Sequence, residues 1–265
     1  MLMPFPLYQI DSFTDKLFGG NPAAVCLLQH WLPDPVLLQI AAENFLPETA
    51  FIIPSTKAEH YHIRWFTPEI EMDLCGHATL AAAHVVFKHV GLASDKVIFS
   101  SASGELTVTR QGSLLTLDFP SRMPVTAELP EIILKGMGRK PLEVLKARDY
   151  VLVYDSEDTV RALQPNRAIL DKINLDPGGI IITAKGETSD FVSRFFTPQA
   201  SIFEDPVTGS AHCSLIPYWS QRLRRKELTA LQVSARTGKL YCTDKGDRVL
   251  IGGTCVTYLQ GTIYI

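Results

Sequence analysis

Alternation and turn residues divide the chain into many short strands and few helices. Residues 5–13 alternate apolar and polar positions as a half-buried strand does. Phe18-Gly19-Gly20-Asn21-Pro22 is a turn, and 23–28 continues as a buried strand. Asp34-Pro35 predicts a helix start, with Asp34 as N-cap and Pro35 at the first helical position; the helix stops near Asn44, ahead of Pro47. Glu48 then opens a strand over 49–54, and another runs over 60–66. After Gly76 every face is apolar or small (Ala78, Leu80, Ala81, Ala82, Ala83, Val85, Val86, Phe87), the mark of a helix buried all round, with Gly91 as its C-cap. Strands follow over 97–101, 105–110 and 114–119, and the proline-bearing, aperiodic stretch 120–130 reads as a linker. In the second half, strands are predicted over 150–154, 179–184 and 191–196. A helix from Gly209 contains Pro217, which should kink it or loosen its hydrogen bonds. Short strands over 233–235, 240–243, 248–251, 255–259 and 262–265 complete the chain.

The two halves carry the same plan. Arg64-Trp65-Phe66-Thr67-Pro68 leads through Glu69, Glu71 and Asp73 into Cys75-Gly76-His77-Ala78-Thr79. Arg194-Phe195-Phe196-Thr197-Pro198 leads through Glu204 and Asp205 into Thr208-Gly209-Ser210-Ala211-His212. The arginines stand 130 residues apart in a chain of 265. At that offset, without a gap, Phe51-Ile52-Ile53 lies over Ile181-Ile182-Thr183, and Ser103-Gly104-Glu105-Leu106 falls near Thr237-Gly238-Lys239-Leu240. Four blocks in the same order indicate an internal duplication. The expected architecture is α+β: two similar domains, 1–122 and 123–265, related by a pseudo-twofold axis. Each is a curled, mostly antiparallel, barrel-like sheet around a central apolar helix, and the last strand is able to pack back on the N-terminal domain.

Composition narrows the function classes. A formal charge of −3 supplies no attraction to nucleic acid or an anionic membrane. The basic cluster Arg222, Arg224, Arg225 and Lys226 sits where a helix should end, so it complements the helix dipole. No apolar run reaches the roughly 20 residues of a membrane span, and the N-terminus lacks a basic signal region, so a cytoplasmic protein is expected. Five cysteines without a CxxC pair suit reduced thiols packed as small hydrophobes. His60 and His62 share a strand face with no third ligand at metal-site spacing, so no metal site is expected.

Two domains facing each other would bring the helix starts at Gly76 and Gly209 together in a cleft. Free N–H groups and the positive dipole ends there suit a small carboxylate-bearing ligand. At these residues the sequence resembles a known family. Gly20-Asn21-Pro22-Ala23-Ala24-Val25, Asn44 through Pro47-Glu48-Thr49-Ala50-Phe51, Phe66-Thr67-Pro68, Cys75-Gly76-His77-Ala78-Thr79 and Asp205-Pro206-Val207-Thr208-Gly209-Ser210-Ala211-His212 are similar to the motifs of the PhzF family. This is the phenazine-biosynthesis isomerase family of the diaminopimelate epimerase-like fold. The resemblance implies two barrel-like domains, no cofactor and a homodimer. It makes Glu48 the group that moves a proton between substrate carbons, and carries the family's other site residues onto Gly76, His77, Asp205, Gly209 and Ser210. Pro47 stands where a Ser often precedes the Glu.

The residue chemistry is consistent with that role. A proton shifted along a conjugated framework needs one carrier whose pKa lies near working pH, and Glu48 beside Pro47, Ala50 and Phe51 would have its pKa raised by desolvation once a ligand binds. His77 and Asp205 would orient polar groups or relay the proton, while Ser210 and the N–H groups near Gly76 and Gly209 hold a carboxylate. Each also has a plainer reading, Glu48 as a solvated strand-end acid and His77 and Asp205 as caps. A two-thiol racemase of the same fold would need a cysteine in each half; Cys75 fills one place, but Thr208 occupies the other, so Cys75 is expected to be packed. A binding protein without catalysis is the alternative of a different class. The motifs name neither the substrate nor any phenazine pathway.

Overall fold

A computed structural model describes residues 2–175 and 178–265. The chain forms two compact units, one reaching Asp118 and including Gly252–Ile265, the other Phe119–Ile251. The second unit is therefore shorter than the expected 123–265, because the C-terminal strand belongs to the first.

The first unit comprises β1 (Pro4–Ser12), β2 (Asn21–Leu27), α1 (Asp34–Asn44), β3 (Glu48–Pro54), β4 (His60–Phe66), β5 (Glu71–Met72), α2 (Gly76–Val85), β6 (Lys96–Ser101), β7 (Gly104–Gln111) and β8 (Leu114–Pro120). A π-helical segment, Val86–Val90, continues α2 to Gly91, whose φ of 83° closes it. The second unit comprises β9 (Val125–Thr126), α3 (Glu131–Met137), β10 (Glu143–Lys146), β11 (Tyr150–Val153), α4 (Glu157–Ala162), α5 (Arg167–Leu170), β12 (Ile180–Lys185), β13 (Phe191–Phe196), β14 (Glu204–Asp205), α6 (Gly209–Leu223), β15 (Glu227–Gln232), β16 (Gly238–Asp244) and β17 (Arg248–Gly253). The single strand β18 (Cys255–Tyr264) replaces the two expected at the C-terminus and pairs with β1. The strand expected over 233–235 lies earlier, as β15, where Leu228, Ala230 and Gln232 alternate inward.

The duplication is written in the strand ladders. In the first unit β2 runs parallel to β3, β3 antiparallel to β4, and β4 parallel to β6, which forms a hairpin with β7. In the second, β11 runs parallel to β12, β12 antiparallel to β13, and β13 parallel to β15, which forms a hairpin with β16. Each ladder is thus mixed and open. Register corrects one detail of the sequence comparison. Arg64 pairs with Phe51, whereas Arg194 pairs with Ile182, not Ile181. The second hairpin is one residue shorter, so the gap-free match at that strand is displaced by one.

The paired arginines do the same work. Arg64 donates from Nε and Nη2 to the two carboxylate oxygens of Glu71, each at 2.6 Å, and Arg194 grips Glu204 in the same two-point way at 2.7 and 2.9 Å. Each clamp ties a long strand to the two-residue strand that leads into the main helix. The third contact differs. Arg64 Nη1 reaches Asp34 at 2.8 Å, while Arg194 Nη1 serves the carbonyls of Val160 and Leu163 at the end of α4. Asp34 consequently does not cap α1: Pro33 holds the N-cap position, and no side chain caps the helix.

The main helices carry the cores. All of α2 from His77 to Val85 is buried except His84, against β1, β2 and β3. Helix α6 is buried over most of its length, and Trp219 stacks on Phe191 and donates from Nε1 to Thr183 Oγ1 at 3.0 Å. Pro217 does not interrupt α6. It leaves the Cys213 carbonyl without its helical donor, and the backbone N–H of Arg122 takes that place at 2.9 Å. In the basic cluster, Arg222 pairs with Glu143 and Arg225 with Asp190.

Two stability predictions follow from this packing. Arg194 is only 9% exposed, so Arg194→Met leaves Glu204 uncompensated and lowers the unfolding free energy by about 3 kcal/mol. The more exposed Arg64 clamp, at 22%, loses about 1 kcal/mol in Arg64→Met; equal losses in urea titrations would refute the distinction. His212 donates from Nδ1 to the Thr208 carbonyl at 2.8 Å, its Nε2 has no partner, and burial pushes its pKa down to about 4. The folded chain refuses a proton that the unfolded chain accepts below about 6.5. His212 therefore contributes stability that is complete above that value and is lost as pH falls to about 4. His212→Asn, which retains a donor, should flatten the fall in unfolding midpoint between those pH values; an unchanged slope would assign it to other groups.

Candidate active site

In the first unit, three elements deliver polar groups to the start of α2. Gly20 has a φ of 60°, and a Cβ there would collide with the Ser12 carbonyl, so glycine permits the turn that places Asn21 at the head of β2. Glu48 heads β3, beside Ala23 of β2. Cys75 is the N-cap residue of α2, with no side-chain cap, and His77 lies in the first turn. The Ser12 hydroxyl donates to the His77 carbonyl at 3.0 Å.

His77 is the centre of this group. Its ring is 4% exposed as a residue and touches polar atoms at both nitrogens. Nδ1 lies 3.1 Å from Asn21 Nδ2 and 3.6 Å from Cys75 Sγ. Nε2 lies 3.0 Å from Glu48 Oε2. That last pair is within ion-pair distance yet off the alignment of a hydrogen bond, and both atoms are buried. With Nδ1 accepting from the Asn21 amide, the neutral ring carries its proton on Nε2, toward the carboxylate. Burial alone would lower the His77 pKa, but the neighbouring Cys75 and Glu48 side chains outweigh it and raise it well above its ordinary range. Burial, with the Glu48 charge adding to it, pushes the Cys75 thiol up to about 11.

Glu48 retains 15% exposure at its side chain, against 5% for His77. Gly76, at the tip of α2, is half-buried. Glu48 and His77, both named by the resemblance, therefore meet within one unit. Asn21 and Cys75 belong to the same group and were not assigned to it from sequence. Asn21 lay in a recognised motif but read as a turn residue, and Cys75 read as packing. The donor atoms of Glu48, Cys75 and His77 lie within 4.8 Å of one another, close enough to hold a metal ion.

The second unit assembles its own polar group at the start of α6. Asp205 ends β14, opposite Phe195. The Thr208 hydroxyl donates to Asp205 Oδ2 in a short bond of 2.5 Å. Gln232, from β15, closes the turn: its Oε1 accepts the Thr208 N–H at 2.8 Å and its Nε2 donates to the Asp205 carbonyl at 2.7 Å. Gly209 is buried at the first position of the helix and Ser210, half-buried, is the second. The hydroxyl of Thr208, in the place where a second thiol would stand, thus orients Asp205. Gln232 is a further member that no sequence motif marked.

The model of the PhzC-PhzF family, described as phenazine biosynthesis-like protein, matches residues 10–261. An uncharacterised isomerase of Pseudomonas aeruginosa is 46% identical over 263 residues, covering 99% of this chain and 100% of the relative. The crystal structure of a PhzF-family phenazine biosynthesis protein from Enterococcus faecalis superposes with a TM-score of 0.94 at 45% identity, covering 99% of this chain and all of the other. A hydroxyproline epimerase from Agrobacterium vitis shares the fold alone, with a TM-score of 0.62 at 10% identity over 99% of this chain and 93% of that one. The chain belongs to the phenazine biosynthesis-like, PhzC-PhzF family.

Proposed function

We propose that this protein is an isomerase that moves a proton between carbons of a small carboxylate-bearing substrate, with Glu48 as the carrier. The observation that carries the reading is a partly exposed glutamate side chain whose carboxylate stands 3.0 Å from a buried imidazole. In the first step a Glu48 oxygen takes a proton from a substrate carbon, and the C–H electron pair enters the conjugated system. In the second, the Glu48 carboxylic acid returns the proton to a different carbon, restoring the carboxylate. His77 orients Glu48. Asp205, Gly209 and Ser210 bind the substrate, Ser210 and the first N–H groups of α6 suiting its carboxylate and the negative charge that develops as the proton leaves. The isomerase designation of the Pseudomonas aeruginosa relative supports the reaction class. The same reading makes the protein a cytoplasmic homodimer that needs no cofactor for this step.

A binding protein without catalysis would keep both polar groups but exchange no protons. Incubation with small unsaturated carboxylic acids in D2O separates the two readings. Wild-type protein should introduce deuterium at a carbon, and Glu48→Gln should slow this by at least about 1,000-fold. A ligand that binds tightly with no exchange in the wild type, or exchange that survives Glu48→Gln, would overturn the assignment.

A further inference from the structure

The group at the start of α2 holds three donors of different chemistry: a thiol sulfur, an imidazole nitrogen and a carboxylate oxygen. Among the described residues, no other cluster of three His, Cys, Asp or Glu side chains comes as close together. His77 Nε2 and Glu48 Oε2 are buried, face each other at 3.0 Å, and neither has an aligned hydrogen-bond partner. Two ligands on one tetrahedral zinc ion, each bonded at about 2.0–2.1 Å, lie about 3.3 Å apart. The observed pair is already near that spacing. Cys75 Sγ stands 3.6 Å from Nδ1 of the same ring, and the three donor atoms lie within 4.8 Å of one another, so a shift of roughly 1 Å closes the thiol to the ligand–ligand spacing of a site with a Zn–S bond of about 2.3 Å.

The surroundings favour one class of ion. A thiolate and a carboxylate together neutralise a dication, so the filled site buries no net charge. The positive end of α2 opposes a bare cation but favours the thiolate, which selects ions whose binding rests on sulfur over magnesium or calcium. Asn21 meets Nδ1 at 3.1 Å and leaves Nε2 toward Glu48; with its amide reversed it accepts the Nδ1 proton of a metal-bound ring. We propose that Cys75, His77 and Glu48 form a three-ligand site for a thiophilic divalent cation of the zinc class, with a fourth position open, and that the ion blocks proton carriage by occupying Glu48. Binding breaks the Cys75 S–H bond and the Nε2–H bond of the protonated His77 ring, forms metal–sulfur and metal–nitrogen bonds and releases two protons to solvent. The site stands on its own geometry; only the blocking rests on the proposed isomerase reading.

The test titrates the metal-free full-length protein with Cd2+, following the thiolate-to-metal charge-transfer band. Parallel Zn2+ calorimetry in buffers of different protonation enthalpy counts the protons released. One equivalent should bind with release of two protons, one from Cys75 and one from the His77 ring. Affinity should fall at least about 100-fold in Cys75→Ser and about 10-fold or more in Glu48→Gln, and stay unchanged in Cys255→Ser, which removes the partly exposed thiol. Thermal unfolding of each metal-free variant checks folding; if Cys75→Ser does not fold, Glu48→Gln decides. Absence of a charge-transfer band in the wild type, binding that persists in Cys75→Ser, or loss that follows Cys255→Ser would each overturn the site. In the D2O assay, Zn2+ should abolish exchange and a chelator restore it. Saturating Zn2+ that leaves exchange intact refutes the blocking alone, whereas exchange absent in the metal-free protein counts against the isomerase reading alone.

Discussion

Everything proposed for this protein depends on a histidine buried in the first turn of a helix whose other buried residues are almost all apolar or small. Helix α2 is apolar or small on nearly every side, so packing fixes its position and leaves little freedom to slide. His77 inherits that rigidity. Its ring is pinned through Nδ1 by Asn21 and directs Nε2 to Glu48 at 3.0 Å. A carboxylate at the head of a strand would otherwise be a solvated acid. Set against this ring, it becomes a group whose position is known and whose charged form has a partner.

The arginine clamps explain how the chain arrives at each helix tip. Both tie a long strand to a two-residue strand by a two-point guanidinium–carboxylate contact. Both are followed by a Thr whose N–H and hydroxyl close the next turn: Thr67 onto Ile70, Thr197 onto Ile202 and Phe203. The repeated device delivers a polar residue group to the start of a buried helix in each unit. What differs is chemistry: Cys75 and His77 in one, Thr208 and Ser210 in the other. A duplicated scaffold has kept its turn geometry while its two helix starts present different side chains.

Much of this was legible before any coordinates. The repeated Arg-x-Phe-Thr-Pro strings marked the clamps, the all-round apolar run after Gly76 marked α2, and the motif strings placed Glu48, His77 and Asp205. Other features turned on tertiary contacts that local pattern does not carry. Asp34 had the composition of an N-cap, but Arg64, far along the chain, claimed its carboxylate. The one-residue offset at Ile182 depends on hairpin length, which only register shows. Cys75 read as packing because burial and hydrophobicity look alike for a thiol, and its 3.6 Å contact with His77 appears only in space. Gln232 lies 24 residues beyond Thr208, and no periodicity links the two.

The most direct test of the central claim is a crystal structure with a small unsaturated acid bound. The account predicts a Glu48 carboxylate oxygen within about 3.5 Å of the carbon that exchanges its hydrogen, the separation of a near-attack geometry. An acid that exchanges in solution but is held in the crystal with its reacting carbon far from Glu48 would contradict it.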